Sequence, residues 1–214
     1  MIINDSVQMQ LVDKEILAYK TKLNILENKN TIIPHEEIKK NNYITKDIIS
    51  NSLIVLGVIF QSVGKEIICK DEMFILDGHH RFQFILENSL SEYFDVVLLD
   101  LNNIKIESYN SELLIDKDIF LEKIDSENIL TNSLKSDFFI QVEEEKYYME
   151  NITSINDLYS YKKKLMENNF ISPVANDQET KKVKVNFTSL NSNDFKKDSI
   201  FPYKSTWITP RFNK

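Results

Sequence analysis

The order of predicted elements indicates an α+β fold, in which helices and strands form layers around a hydrophobic core. In the first half of the chain, strand, turn, strand, tight turn, helix and strand follow one another, which differs from a regular βαβ array. The 214 residues are 42% hydrophobic, which is enough to bury a core and too much for a disordered chain. We expect a core over residues 1–110 and a C-terminal α/β extension over residues 111–214, packed as one compact unit with the extension closing a cleft.

The elements before residue 65 are predicted from apolar spacing and capping residues. Apolar residues among charges favour a helix over residues 8–28, and a β-branched run indicates a short strand over residues 31–33. The apolar stretch over residues 46–63 is predicted to be a helix, for which Thr45 is an N-cap and Gly64 a C-cap.

The remaining elements follow from the same patterns. Strands are predicted over residues 66–69, 73–76, 95–101, 138–142 and 183–187. Helices are predicted over residues 79–89, 115–124 and 155–168. Residues 191–199 are polar and are expected to form a loop, and the lysine runs 162–164 and 181–182 are expected to lie on solvated faces.

Composition excludes several classes of protein. The net charge of −7 argues against a general binder of phosphate backbones, which needs clustered positive charge. The single cysteine, Cys69, excludes an internal disulfide framework and a cysteine-built zinc site. The first ten residues lack a signal-peptide pattern, and the longest apolar stretch is too short and polar to span a bilayer. We therefore expect a cytoplasmic protein without a nucleic-acid or membrane partner, and the oligomeric state stays open.

The densest concentration of chemistry is the segment Asp77-Gly78-His79-His80-Arg81. It holds one of the 3 glycines and two of the 3 histidines. It also holds an arginine in a chain whose usual cation is lysine, and arginine is the planar donor that can grip two oxygens at once. Glycine at such a turn indicates a backbone conformation or close approach that a side chain would block.

A strand that runs through Asp-Gly directly into a helix creates an anion site. The first helical N–H groups lack partners within the helix, and the helix dipole favours negative charge there. His79 and His80 add donors, and Arg81 can bind two phosphate oxygens. Asp77 can hold Mg²⁺ or accept a proton from an attacking group, a combination that suits phosphoryl transfer. The alternative is an ordinary helix start with two surface histidines.

The same residues resemble a known family. The stretch FILDGHHRF, residues 74–82, resembles the signature turn of the ParB/sulfiredoxin-like superfamily. Its double histidine is most similar to the free-serine kinases of that superfamily. Sulfiredoxins carry a cysteine where this chain has His79, and ParB proteins are followed by a basic DNA-binding module that this chain lacks. The resemblance implies a mixed-sheet core with helices and a nucleotide-binding role for residues 1–110.

Two further segments resemble the same kinases. Pro34-His35-Glu36-Glu37 is similar to their His-Glu segment, which implies that Glu36 deprotonates the serine hydroxyl, with Glu37 as a helix-start neighbour. Residues 201–207, FPYKSTW, resemble their Pro-x-Lys-Ser/Thr-Thr segment. That similarity implies that substrate and phosphoryl group are bound by Lys204, Ser205 and Thr206. Trp207 is expected either to contact the adenine or acceptor or to anchor the packing.

The resemblance implies a kinase that transfers a phosphoryl group from ATP or ADP to free L-serine, giving O-phospho-L-serine. Mg²⁺ would bridge the nucleotide phosphates and Asp77, and residues 78–81 would bind those phosphates. Trp207-Ile208 stands where the family often has Arg-His, so the acceptor is serine or a related hydroxyl compound. The alternatives are a ParB-like nucleotide-binding regulatory or DNA-partition module without kinase activity, and an interaction domain that has lost catalysis.

Overall fold

The computed structural model describes residues 7–8, 18–38, 45, 53–63, 66–69, 72–102, 104–127, 130–131 and 136–209. The chain forms two compact units. The first contains Met1–Lys105, Phe195–Ile200 and Ile208–Lys214, and the second contains Ile106–Asp194 and Phe201–Trp207. The predicted α+β class is confirmed, because mixed and antiparallel sheets occur together with helices. The functional division at residue 110 stays a prediction.

Within the described ranges, the first unit is built on a mixed sheet. Its strands are Val7–Gln8 (β1), Ala18–Asn24 (β2), Ile32–Pro34 (β3), Ile54–Val58 (β4), Phe60–Val63 (β5), Glu66–Cys69 (β6), Met73–Asp77 (β7) and Tyr93–Asp100 (β8). The sheet order is β1-β2-β8-β4-β7-β3, and β5 and β6 form a separate antiparallel pair. Two of the pairings in the sheet, β4 with β8 and β3 with β7, are parallel.

One helix, His79–Glu87 (α1), follows β7 and covers the sheet with its apolar face. Phe82 and Ile85 on that face are buried at 4% and 0% exposure. They join one cluster with buried side chains of the sheet, among them Leu56, Ile75 and Leu98. This burial fixes the direction in which the chain leaves β7, because α1 must turn its apolar face to the sheet.

The parallel pairing of β3 with β7 decides which residues lie together at the sheet edge. In its register Ile33 is opposite Phe74 and Pro34 is opposite Ile75. Parallel strands end at the same edge, so the segment after Pro34 emerges next to the end of β7. His35 and Glu36 therefore reach the edge at which β7 turns into α1.

The later strands are Lys105–Ser108 (β9), Ser111–Leu113 (β10), Leu130–Thr131 (β11), Phe139–Val142 (β12), Glu145–Met149 (β13), Ile171–Pro173 (β14), Lys184–Phe187 (β15) and Thr206–Thr209 (β16). Among the described residues, an antiparallel sheet has the order β11-β13-β12-β15-β10-β14, and β9 pairs with β16. Two helices, Lys117–Ser126 (α2) and Ile155–Glu167 (α3), and a 3₁₀ turn, Ser192–Asp194, accompany them. No helix in the described part of the chain is long and apolar enough to cross a bilayer.

Most of the predicted elements are confirmed. The strands expected over residues 31–33, 66–69, 73–76, 95–101, 138–142 and 183–187 correspond to β3, β6, β7, β8, β12 and β15. The helices expected over residues 79–89, 115–124 and 155–168 correspond to α1, α2 and α3. The segment expected to be a loop, 191–199, contains the 3₁₀ turn. The side chains of β6, including that of Cys69, lie outside the described residues.

Two helix predictions are wrong. Ala18–Asn24 lies inside the predicted helix 8–28 and is strand β2, and the described end of the predicted helix 46–63 forms β4 and β5. An unbroken apolar run fits a buried strand as well as a buried helix, and all five residues of β4 are buried in the middle of the sheet. Residues 9–17 and 46–52 and the proposed cap Gly64 lie outside the described residues.

Candidate functional site

The turn from β7 into α1 forms the structural centre of the candidate site. Gly78 is the N-cap of α1, with φ 96° and ψ 19°, a left-handed conformation that suits glycine. No side chain caps this helix, and its first turn contains no acidic residue. By contrast, α2 and α3 are capped by Asp116 and Ser154 and carry an acidic residue in the first turn. Among the described α-helices, α1 alone has neither a side-chain cap nor an acidic residue in its first turn, which favours an anion at its start.

Asp77 bonds both to this turn and to Arg81. Its Oδ1 accepts a hydrogen bond from the Gly78 N–H at 2.8 Å, and its Oδ2 accepts one from Arg81 Nη2 at 3.2 Å. A Cβ atom at Gly78 would lie 3.0 Å from both Nε and Nη2 of Arg81. The arginine side chain therefore folds back over the start of the helix, where it pairs with an acid one turn away.

Asp77 also meets the requirements of a magnesium ligand. Its side chain is 48% exposed, and a carboxylate has lone pairs beyond the two that its present donors use. Mg²⁺ in nucleotide enzymes is commonly held by one or two carboxylates together with phosphate oxygens and water. No cluster of three or more ligating side chains occurs within the described residues. The exposed carboxylate of Asp77 fits an ion that a nucleotide carries with it. Magnesium binding by Asp77 and phosphate binding by residues 78–81 stay predictions.

His35 and Glu36 form the buried part of a cluster with His79 and Asp77, the Glu36–Asp77 cluster, and are 0% and 8% exposed. Nδ1 of His35 contacts the Ile75 carbonyl oxygen. That oxygen can only accept, so Nδ1 carries the proton of the neutral ring. The ring centroid of His35 lies 5.0 Å from that of His79 and 4.8 Å from that of Phe195. The structure thus brings together two of the predicted residues, Glu36 and His79, on either side of His35, which the sequence favours as a supporting residue rather than a catalyst.

The protonation of His35 matters for Glu36. Burial lowers the pKa of His35, although the Glu36 carboxylate and the bond to the Ile75 carbonyl both act to raise it. A neutral ring protonated at Nδ1 turns the lone pair of Nε2 toward Glu36, whose Oε1 is 3.7 Å away. Two acceptors that face each other attract a proton between them. This pair is therefore suited to receive a proton from a third group.

The segment expected to bind substrate lies in the second unit. Lys204 has φ 60°, and its Nζ lies 4.7 Å from the ring centroid of Tyr109. Ser205 is fully buried, and its hydroxyl donates to the Pro202 carbonyl at 2.6 Å. The hydroxyl therefore bonds within the turn. Thr206 begins β16 and is 8% exposed.

Trp207 packs against an aromatic neighbour in the same unit. It is 7% exposed, and its ring meets the Tyr109 ring edge to face at 5.4 Å. This geometry is that of a packing anchor. Contacts of Lys204, Ser205, Thr206 and Trp207 with a substrate stay predictions, as does the closing of this segment over the Glu36–Asp77 cluster.

Lys162 corrects the expectation that all three lysines 162–164 are solvated. It is fully buried, whereas the Lys164 side chain is 57% exposed and pairs with Glu127 at 3.4 Å. Helical spacing contains the signal that could have found it. Lys162 stands between Leu158 and Leu165 at intervals of four and three residues, on the buried face of α3.

The sequence matches no family profile and no curated protein. The structure is similar to several solved structures. One is SbnI with a C-terminal truncation from Staphylococcus aureus, at a TM-score of 0.61 and 11% identity over 91% of this chain and 85% of that one. Another is a free serine kinase in complex with AMP, at a TM-score of 0.55 and 14% identity over 92% of this chain and 88% of that one.

Two further similarities extend over almost the whole chain. A variant of the free serine kinase in complex with ADP matches at a TM-score of 0.54 and 14% identity, over 99% of this chain and 92% of that one. A conserved hypothetical protein from Pyrococcus furiosus matches at a TM-score of 0.51 and 14% identity, over 97% and 95%. The chain therefore has the α+β fold of these solved structures.

Proposed function

We propose that this protein is a kinase that transfers a phosphoryl group from ATP or ADP to the hydroxyl of free L-serine. The observation that carries the proposal is the parallel register of β3 with β7. It brings a buried carboxylate, Glu36, to the sheet edge where the uncapped helix α1 begins. A base and an anion site at one edge are the two parts that phosphoryl transfer to an alcohol requires.

In this proposal the nucleotide phosphates bind at residues 78–81, at the N-terminus of α1, where the backbone N–H groups of residues 79–81 and the helix dipole favour negative charge. Arg81 is close enough to Asp77 to hold the loop in order before the nucleotide binds. It then shares its donors with a phosphate, because a guanidinium has five N–H groups. Bound magnesium would neutralise phosphate charge beside Asp77.

Glu36 accepts the proton of the substrate hydroxyl, and His35 supports it. When Glu36 gains the proton, Nε2 of His35 can accept a hydrogen bond from it once the two atoms, now 3.7 Å apart, approach to about 3 Å. Lys204 and Thr206 bind the substrate and the transferring group, and Ser205 supports them by bonding its buried hydroxyl to the Pro202 carbonyl. Positioning and charge neutralisation supply most of the catalysis in such reactions, so none of these residues needs to form a covalent intermediate.

The similarity of fold supports a nucleotide-binding role. The similar free serine kinase structures contain AMP or ADP. That chemistry agrees with an anion site built from a glycine turn, an arginine and a helix start. Both ATP and ADP stay candidate donors, because a binding site for two phosphates and a binding site for three phosphates use the same kinds of residue.

Incubation with Mg²⁺, L-serine and either ATP or ADP tests the proposal. We expect O-phosphoserine, detected by ³¹P NMR and mass spectrometry, with one of the two nucleotides as the better donor. Threonine, homoserine and D-serine in parallel reactions define the acceptor. Absence of turnover with every hydroxyl amino acid and both nucleotides would contradict the kinase.

The same preparation distinguishes the alternative of a nucleotide-binding regulatory or DNA-partition module. Nucleotide binding without transfer would favour that alternative, and a gel-shift measurement with duplex DNA at low salt tests the DNA partner. We expect no shift, because the chain carries a net charge of −7.

A further inference from the structure

Lys162 is a buried ammonium in the middle of α3. Its Nζ donates to the Tyr109 carbonyl at 2.7 Å and to the Lys204 carbonyl at 3.3 Å, and it lies 3.5 Å from Ser108 Oγ. A buried ammonium is costly unless its protons are bound by acceptors. These contacts join α3 to the two backbone segments that carry the candidate substrate lysine and its aromatic neighbour.

The backbone at Lys204 is strained and held from several sides. Its φ of 60° is uncommon for a residue with a side chain, and such conformations persist only where neighbouring contacts enforce them. Lys162 binds its carbonyl, and the Tyr109 N–H donates to the Ser205 carbonyl at 3.0 Å. The Ser205 hydroxyl closes the turn onto Pro202.

Tyr109 connects these contacts with one another. Its carbonyl accepts from Lys162, its N–H donates to Ser205, and its ring lies under the Lys204 ammonium and beside Trp207. The direction of the Lys204 side chain therefore depends on where Lys162 holds these two backbone segments.

We propose that Lys162 is a positioning residue, which acts through Lys204 by holding its backbone in the left-handed conformation that directs its ammonium. This inference rests on the proposed function for its catalytic consequence. Its structural consequence, a change in the 201–207 turn when the Lys162 ammonium is removed, can be measured without any turnover.

The substitution Lys162→Met removes the ammonium and keeps an unbranched side chain of similar length. Lys164→Met is the matched control, because it lies on the same helix and its side chain is 57% exposed. Trp207 is the only tryptophan of the chain and lies three positions after Lys204. Its emission therefore reports on this turn in the folded protein, with circular dichroism to verify folding.

We expect Lys162→Met to shift the Trp207 emission maximum toward longer wavelength and to increase its quenching by acrylamide, while Lys164→Met leaves both unchanged. Unchanged emission and quenching in folded Lys162→Met would overturn the inference. If the methionine variant does not fold, Lys162→Arg and Lys162→Gln take its place. The arginine, which keeps donors, is then expected to match the wild type more closely than the glutamine does.

Kinetics separate positioning from general stability. In a functioning kinase we expect Lys162→Met to lower kcat about tenfold or more with little change in the KM for nucleotide. In a Lys204→Met background, the same substitution should lower kcat by less than about twofold, because its effect passes through Lys204. Equal losses in both backgrounds would overturn the positioning role. Absence of all turnover would contradict the proposed function alone, since the emission measurement still decides the structural part.

Discussion

At the scale of single residues, burial distinguishes the two glutamates that follow Pro34. Glu36 is 8% exposed and faces His35, whereas Glu37 is exposed to solvent. The sequence resemblance selected Glu36 by its place after the histidine. The structure adds a physical reason for the choice of Glu36, because its carboxylate is buried beside His35, whose ring can share a proton with it.

Substitution of this carboxylate should separate catalysis from binding. We expect Glu36→Gln to lower the rate of phosphoserine formation by about 100-fold or more, since an amide cannot accept the hydroxyl proton. The Kd for nucleotide, measured by calorimetry, should change by less than about threefold. Glu37→Gln is the control and should retain activity. A Glu36→Gln enzyme with full turnover would exclude Glu36 as the base.

Because His35 is buried, we expect the free energy of unfolding to depend on pH. Burial lowers its pKa in the folded protein below the ordinary value of 6.5. At pH values above 6.5 the ring is neutral in both the folded and the unfolded state, so its titration does not change the free energy of unfolding. As the pH falls below that value, the unfolded chain takes up a proton that the folded protein does not, so the free energy of unfolding decreases by up to about 1.4 kcal/mol per pH unit.

His35→Asn tests this dependence, because asparagine can still donate to the Ile75 carbonyl but does not titrate. Urea unfolding from about pH 7 down to about pH 5.5 should give a shallower decrease in stability for the variant than for the wild type, by about one bound proton. The variant has a smaller side chain and starts from a lower stability, so the slope is the quantity to compare. Equal slopes would mean that the ring is protonated in the folded protein.

At the scale of elements, the junction of β7 and α1 was predicted from the sequence because its signals are local. A strand of apolar residues, an Asp-Gly turn and a helical apolar spacing follow one another within about fifteen positions. The predictions for β2 and β4 failed because their conformation depends on strands far away in sequence. β4 lies between β7 and β8, and the hydrogen bonds of those neighbours, rather than its own residues, decide that it is extended.

The glycine of this junction is expected to be sensitive to substitution. Gly78→Ala forces a side chain into φ 96° and brings its Cβ to 3.0 Å from Arg81. We expect a loss of about 1–2 kcal/mol in the free energy of unfolding and an increase of about tenfold in the Kd for nucleotide.

Gly57→Ala is a matched control for that experiment. A Cβ there would overlap Cδ2 of the buried Leu101, in the core of the same unit. It should therefore destabilise the protein by overpacking while the nucleotide Kd of the folded protein stays within about threefold of the wild type. Equal losses of affinity in both variants would contradict a specific role for the turn.

At the scale of the whole molecule, ligand binding should be visible as stabilisation. A ligand at about 100 times its Kd adds about 2.7 kcal/mol, which corresponds to a rise in Tm of about 5–10 °C for a chain of this size. We expect this rise with Mg²⁺ and ADP or ATP, measured by scanning calorimetry, and a much smaller rise for Gly78→Ala at the same concentrations. No rise at any soluble nucleotide concentration would contradict the anion site.

The amino-acid sequence by itself determined the β7–α1 turn, the order of the three motif segments and the absence of a cysteine-built centre. These properties depend on residue identity or on neighbours a few positions apart. Only the tertiary structure decided that β3 pairs in parallel with β7, which brings His35 and Glu36 to the turn, and that Lys162 is buried against the Lys204 carbonyl. Both contacts join residues about 40 positions apart. Such contacts depend on strand pairing and on the burial of whole faces, which no local pattern specifies.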